Sequence, residues 1–192
     1  MGTDYLTNPL IFIIQTLFQL YILVVLLRFF LQLTHADFYN PLSQFIVKVT
    51  SPALIPLRRV VPGLRGLDIA SLLLAWGLKT LELILVLWYS KGGFHLFLPL
   101  LLAIPELVEL SLDIFFWGIL IQAILSWVNP GVYNPASALL YSLTLPLLRP
   151  AQRIIPPIGG LDLSPMVVML GLVVLKMLIL PPLRGLAVAL AG

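Results

Sequence analysis

YNPLSQFIVKVTSPALIPLRRVVPGLRGLD, residues 39–68, returns without a gap as YNPASALLYSLTLPLLRPAQRIIPPIGGLD, residues 133–162, a shift of 94 positions. Tyr39-Asn40-Pro41 becomes Tyr133-Asn134-Pro135, and Thr50, Pro52, Leu54 and Pro56 become Thr144, Pro146, Leu148 and Pro150. Arg59 and Pro62 recur as Arg153 and Pro156, and Gly66-Leu67-Asp68 as Gly160-Leu161-Asp162. A fixed shift through so many Pro, Gly, Asn and Asp positions is internal duplication, and it divides the chain into two tandem repeats, 1–93 and 94–192.

Outside this unit the chain is apolar. Of the 192 residues 60% are hydrophobic and 10% charged, with a mean hydropathy of +1.08, a balance that the polar surface of a water-soluble domain does not allow. The composition predicts an integral membrane protein. A net charge of +3 from 11 basic and 8 acidic residues is too weak to predict nucleic-acid binding. With no cysteine, disulfides, thiolate metal sites and thiol catalysis are excluded. Asp4 with no Lys or Arg before Pro9 does not resemble a cleaved leader.

Four stretches are long and apolar enough to span a bilayer: about 9–33, 67–89, 106–128 and 161–180. The run 94–105, broken by Pro99 and Pro105, is too short to cross alone; it is re-entrant, interfacial or a kinked start to the third span. The expected fold is an all-α integral membrane four-helix bundle from two parallel repeats. Lys48, Arg58, Arg59, Arg65, Arg149 and Arg153 fall in the repeated loops, against Lys91 and Arg184 on the other side. That bias predicts cytoplasmic loops and external termini.

Within each loop, Asn40 and Asn134 suit an N-cap, and Pro41 and Pro135 suit the first helical position. Leu42, Phe45, Ile46 and Val49 then recur at helical spacing. The expectation is a short amphipathic helix on the membrane surface, ended by Pro52 and Pro56, and in the copy by Pro146 and Pro150. Arg59 and Arg153 beside it predict contact with anionic lipid headgroups. Asp68 and Asp162 read as caps of the following spans, in preference to the aspartate pair of an intramembrane protease.

Charges inside the spans are the strongest functional signal. Glu82 lies 14 residues after Asp68, and Lys176 lies 14 after Asp162, so both sit roughly 21 Å from the loop ends of their helices. Gln19 and Asp113 reach the same depth in the other spans, with Lys79 one turn from Glu82. Lys176 is expected to be neutralised by Glu82, Asp113 or both, since a charge in hydrocarbon costs at least ~2.5 kcal/mol. This polar layer either fixes helix packing or carries ions or protons. Glu106 and Glu109 are expected to reach water, and Arg28 to snorkel. His35 and His95, on opposite sides of the predicted topology, cannot share a metal or haem, and no catalytic constellation is present. No cofactor is expected, and the chain is predicted not to be an enzyme.

With these residues set out, the chain resembles the YggT family of small bacterial membrane proteins. The likeness runs through Phe38-Tyr39-Asn40-Pro41, Thr50, Pro52, Pro56, Arg58-Arg59, Pro62, Gly66 and Asp68. The second copy follows through Asn134-Pro135, Thr144, Pro146, Arg149, Arg153, Pro156, Gly159-Gly160, Asp162 and Ser164-Pro165. Arg65 stands where the second copy has Gly159, and Ala70-Ser71 where it has Ser164-Pro165. The resemblance implies a multi-pass protein of the bacterial inner membrane. Members are associated with osmotic or potassium homeostasis, cell division and nucleoid distribution, and chloroplast relatives with haem attachment to a b-type cytochrome. It implies first an interaction or assembly factor, working with other membrane proteins or by self-association, and second a subunit of an ion or osmolyte channel or transporter.

Overall fold

The structure is a computed structural model that describes residues 4–61, 63, 66–91, 96–128, 134–155 and 162–191. Pro62, Arg65, His95, Tyr133, Pro156 and Gly159-Gly160-Leu161 lie outside the described residues. Six helices follow in order: α1 Asp4–Leu33, α2 Pro41–Val60, α3 Ile69–Lys91, α4 Phe97–Val128, α5 Pro135–Ile154 and α6 Ser164–Ala191. Long apolar stretches in α1, α3, α4 and α6 are sufficient to cross a membrane, which makes this an all-α membrane bundle. Each repeat contributes two spans joined by a loop helix.

Two spans are longer than their apolar cores suggest. Residues 97–105 form the first turns of α4, where Pro99 needs no N–H partner and Pro105 is buried among neighbouring helices. The last helix runs through Pro181-Pro182 to Ala191 instead of stopping near Leu180. Leu180 and Ala187 are buried on either side of the proline pair, so packing holds the helix across two missing backbone donors.

The loop helices α2 and α5 also differ from expectation: each has 20 residues and continues through both of its prolines. The reason is the face they occupy. Ser43, Ile46, Thr50 and Leu54 are buried, whereas Pro52 and Pro56, one turn apart, are exposed, as are Pro146 and Pro150. The carbonyls left without an N–H partner therefore face outward, where water or headgroups can satisfy them. At the N-termini, Asn40 Oδ1 accepts from Leu42 N at 2.9 Å and Asn134 Oδ1 from Ala136 N at 3.0 Å. Asn40 Nδ2 donates to Pro135 O at 2.7 Å, tying the two loop helices together.

The spans pack as α1 on α3, α3 on α4 and α4 on α6, with α1 also meeting α4. Phe30 and Phe115 make that last contact edge to face at 4.8 Å. Among the described residues α6 touches only α4 and α5, and α3 does not touch α6. The core, built from Ile22, Val25, Leu26, Phe30, Ala75, Ile114 and Leu143, therefore sits between α1, α3 and α4. Leu17, Leu20, Trp117, Met177 and Leu178 are exposed, as apolar side chains bathed in lipid can be.

Candidate functional site

Seven charged side chains of α3, α4 and α6 form one connected ladder. Glu82, only 1% exposed, holds Lys79 Nζ at 3.0 and 3.1 Å. Lys79 Nζ also lies 3.9 Å from Glu106, and Glu106 accepts from Arg184 at 3.0 Å. Arg184 continues to Glu109. Lys176 is 2.9 Å from Glu109 and 2.9 Å from Asp113. Signs alternate along the whole path, and four acids against three bases leave one net negative charge. By helix rise the ladder begins roughly 15–20 Å from the loop ends of the spans, at Lys79, Lys176 and Glu82, and ends roughly 30–33 Å away at Arg184 and Glu106.

The ladder differs from the layer expected from sequence. Lys79 and Glu82 pair within one helix, and Lys176 pairs with Asp113, but Glu82 and Lys176 stand on helices that do not touch. Gln19 of α1 reaches the Glu82 carboxylate. Glu106 and Glu109 bind cations, though water was the expected partner, and Arg184 is the bridge between them. The spacing carried a clue: Glu106, Glu109 and Asp113 share one face of α4, and Lys176 and Arg184, eight apart, share one face of α6. Asp113 and Lys176 also line a groove of about 280 Å³ with Phe116, Trp117 and Leu172.

At the other end of the spans each repeat has a polar elbow. Arg28 is buried, not snorkelling, and donates to Thr50 Oγ1 at 2.6 Å and to Val47 O and Ser51 Oγ at 3.2 Å. Thr50 Oγ1 donates in turn to Ile46 O at 2.7 Å. Asp68, 5% exposed, takes Arg58 and the Ser71 hydroxyl on one oxygen and caps α3 with the other, 3.4 Å from Ser71 N. Burial alone would raise its pKa, but Arg58 and Ser71 together hold it below the usual aspartate range.

The second elbow repeats the plan with neutral groups. Thr144 Oγ1 meets the Gln122 amide and donates to Leu140 O at 2.8 Å. Gln152 Nε2 donates to Asp162 Oδ2 at 2.9 Å, and Ser164 N donates to Oδ1 at 2.9 Å. Arg59 and Arg153 are exposed.

The CCB3/YggT family matches residues 7–89 and again 101–183, so both the starts and the ends of the two matches are separated by the 94-residue shift of the repeat. An uncharacterised protein of Pseudomonas aeruginosa is 48% identical over 91% of this chain and 90% of its own length. One of Vibrio alginolyticus is 45% identical over 86% and 90%. The uncharacterised YggT protein of Escherichia coli (strain K12) is 42% identical over 88% of each chain. No solved structure matches the chain.

Proposed function

The chain belongs to the CCB3/YggT family of membrane proteins, and from that membership we propose that it is a non-enzymatic interaction or assembly factor of the bacterial inner membrane, serving membrane-protein maturation, envelope or division processes. The carrying observation is where the charges of α3, α4 and α6 go: the seven of the ladder are spent on one another, linking the three spans. A charge left unpaired there would cost ~3–5 kcal/mol, so the ladder fixes helix register, and lipid-facing surfaces remain for other membrane proteins. The basic exposed positions Lys48, Arg59, Arg149 and Arg153 support loops that are cytoplasmic and rest as amphipathic helices on anionic headgroups. The test is the native-gel profile of inner-membrane complexes in cells lacking the protein. Loss of a complex whose subunits are still made, restored by the gene, is the expected outcome; an unchanged profile would end the reading.

A second reading, a subunit of an oligomeric ion or osmolyte channel or transporter in osmotic or potassium homeostasis, is favoured by the groove beside Asp113 and Lys176. Four helices pack around side chains and leave no central aqueous pore, so it requires several chains around an axis. Ion flux from reconstituted liposomes, lost in Lys176→Met, would favour it.

A further inference from the structure

Among the described residues α1 and α6 do not touch, although α4 packs against both. The face of α4 that looks out between them carries Trp117 and Ile121, both exposed, and a groove runs on either side. One, of about 280 Å³, lies between α4 and Leu172, Val173 and Lys176 of α6. The other, of about 470 Å³, lies between α4 and Leu23 and Leu27 of α1, with Leu140 and Leu143 of α5 along its wall. Asp113 and Trp117 border both grooves. The two therefore form one apolar trough along α4, and the only carboxylate lining it is that of Asp113.

We propose that this trough seats a transmembrane helix of another protein that carries one basic side chain, which reaches Asp113. Asp113 and Lys176 lie near the middle of the apolar stretches of α4 and α6, Phe97–Ser126 and Ser164–Ala191, yet the Asp113 side chain is 36% exposed. Lipid tails offer that carboxylate neither a hydrogen bond nor a counter-charge. Both of its oxygens accept from the same donor, Lys176 Nζ, and each keeps lone pairs for another. The ladder to which it belongs holds four acids and three bases, so one further positive charge would balance it. A second copy of the chain has none to offer at this depth. Within the described spans Arg28, Lys79, Lys176 and Arg184 are all engaged, and Lys91 is the last residue of α3. The charge therefore comes from a different protein, whose apolar side chains pack along the Leu, Val and Trp walls on either side. This surface gives the interaction reading above a partner class and rests on that reading. The native gel tests the reading and the association below tests the surface, so either can fail alone.

The full chain, given a single cysteine by Ser90→Cys at an exposed position, is labelled with a donor fluorophore and reconstituted in phosphatidylcholine liposomes. It is titrated with acceptor-labelled synthetic Leu-Ala helices of bilayer-spanning length that differ only at the central residue, which is Lys, Gln or Leu. The Lys helix should associate roughly five- to thirty-fold more tightly than the Leu helix, the range of a polar contact between spans, and the Gln helix should not match it. Asp113→Asn should remove the preference. So should Trp117→Lys, whose amine stands one turn from Asp113 and neutralises it within the chain; Trp117 is exposed, so this variant should fold normally. Equal association of the three helices, or a Lys preference that survives Trp117→Lys, would overturn the proposal. Energy transfer between two labelled copies of the chain that Trp117→Lys abolishes would also overturn it, by giving the trough to self-association.

Discussion

Arg28 Nη1 meets Thr50 Oγ1 at 2.6 Å, joining the end of the first span to the middle of the first loop helix, and Gln122 meets Thr144 at the same place in the second repeat. The threonine is thus the fixed member of each elbow. Thr50→Val keeps the shape and removes the acceptor from a buried guanidinium, which should cost ~1–3 kcal/mol. Arg28→Gln, the second repeat's own choice, should be milder. Unfolding midpoints in detergent measure both, and a Thr50→Val protein as stable as the parent would show that the contact carries no weight.

Coupling energies separate the ladder from the layer drawn on sequence alone. Asp113 and Lys176 are in contact, so a double-mutant cycle on Asp113→Asn and Lys176→Met should return a coupling of ~0.5–3 kcal/mol. Glu82 and Lys176 lie on helices that do not touch, and the cycle on Glu82→Gln and Lys176→Met should be additive within ~0.5 kcal/mol. The opposite ranking would contradict the packing order of the spans.

Acid should cost the first elbow more stability than the second. The Asp68 carboxyl is held below its unfolded value, about 3.9, so its stabilisation is fully present above that pH and disappears as pH falls through the lower folded value. Asp162 is shifted in the same direction, burial opposing and the Ser164 and Gln152 contacts prevailing, but it is exposed and water screens it. Stability measured from pH 6 down to pH 2 should therefore flatten more in Asp68→Asn than in Asp162→Asn.

Because Pro52 and Pro56 lie inside α2 on its exposed face, they do not terminate it. Pro52→Ala restores a backbone donor within a helix already formed, and its unfolding midpoint should equal or exceed the parent's. A lower midpoint would show that the ring itself is needed.

Topology can be read with single cysteines in this cysteine-free chain. Ser43 is buried, so the reporter on the loop side belongs at Gln44, which is exposed, with Ser90 for the other side. Cytoplasmic loops predict that a membrane-impermeant maleimide labels Ser90→Cys in intact cells and Gln44→Cys only after lysis. Labelling of both from outside would reverse the assignment of sides.

What the sequence by itself determined is the part of the protein governed by local chemistry and by repetition. The duplication, four apolar spans and loop helices starting at Asn40-Pro41 and Asn134-Pro135 follow from residue type and spacing, because hydrocarbon thickness and helix capping act over a few residues. Where helices end was legible only in part. Pro52, Pro56, Pro146, Pro150 and the Pro181-Pro182 pair break a helix in isolation, yet outward orientation or flanking buried contacts override them. Partner choice among the charges was legible only in part: Asp113 was one of two partners expected for Lys176, and the tertiary structure decided against the other, Glu82. Register placed Glu82 and Lys176 at one depth, but depth is not contact: rotation and packing order put Lys176 against Glu109 and Asp113, and Glu82 against Lys79. Burial of Arg28 was decided in the same way, because only α2 folding back against α1 supplies the carbonyl and hydroxyl oxygens that make a guanidinium tolerable inside the elbow.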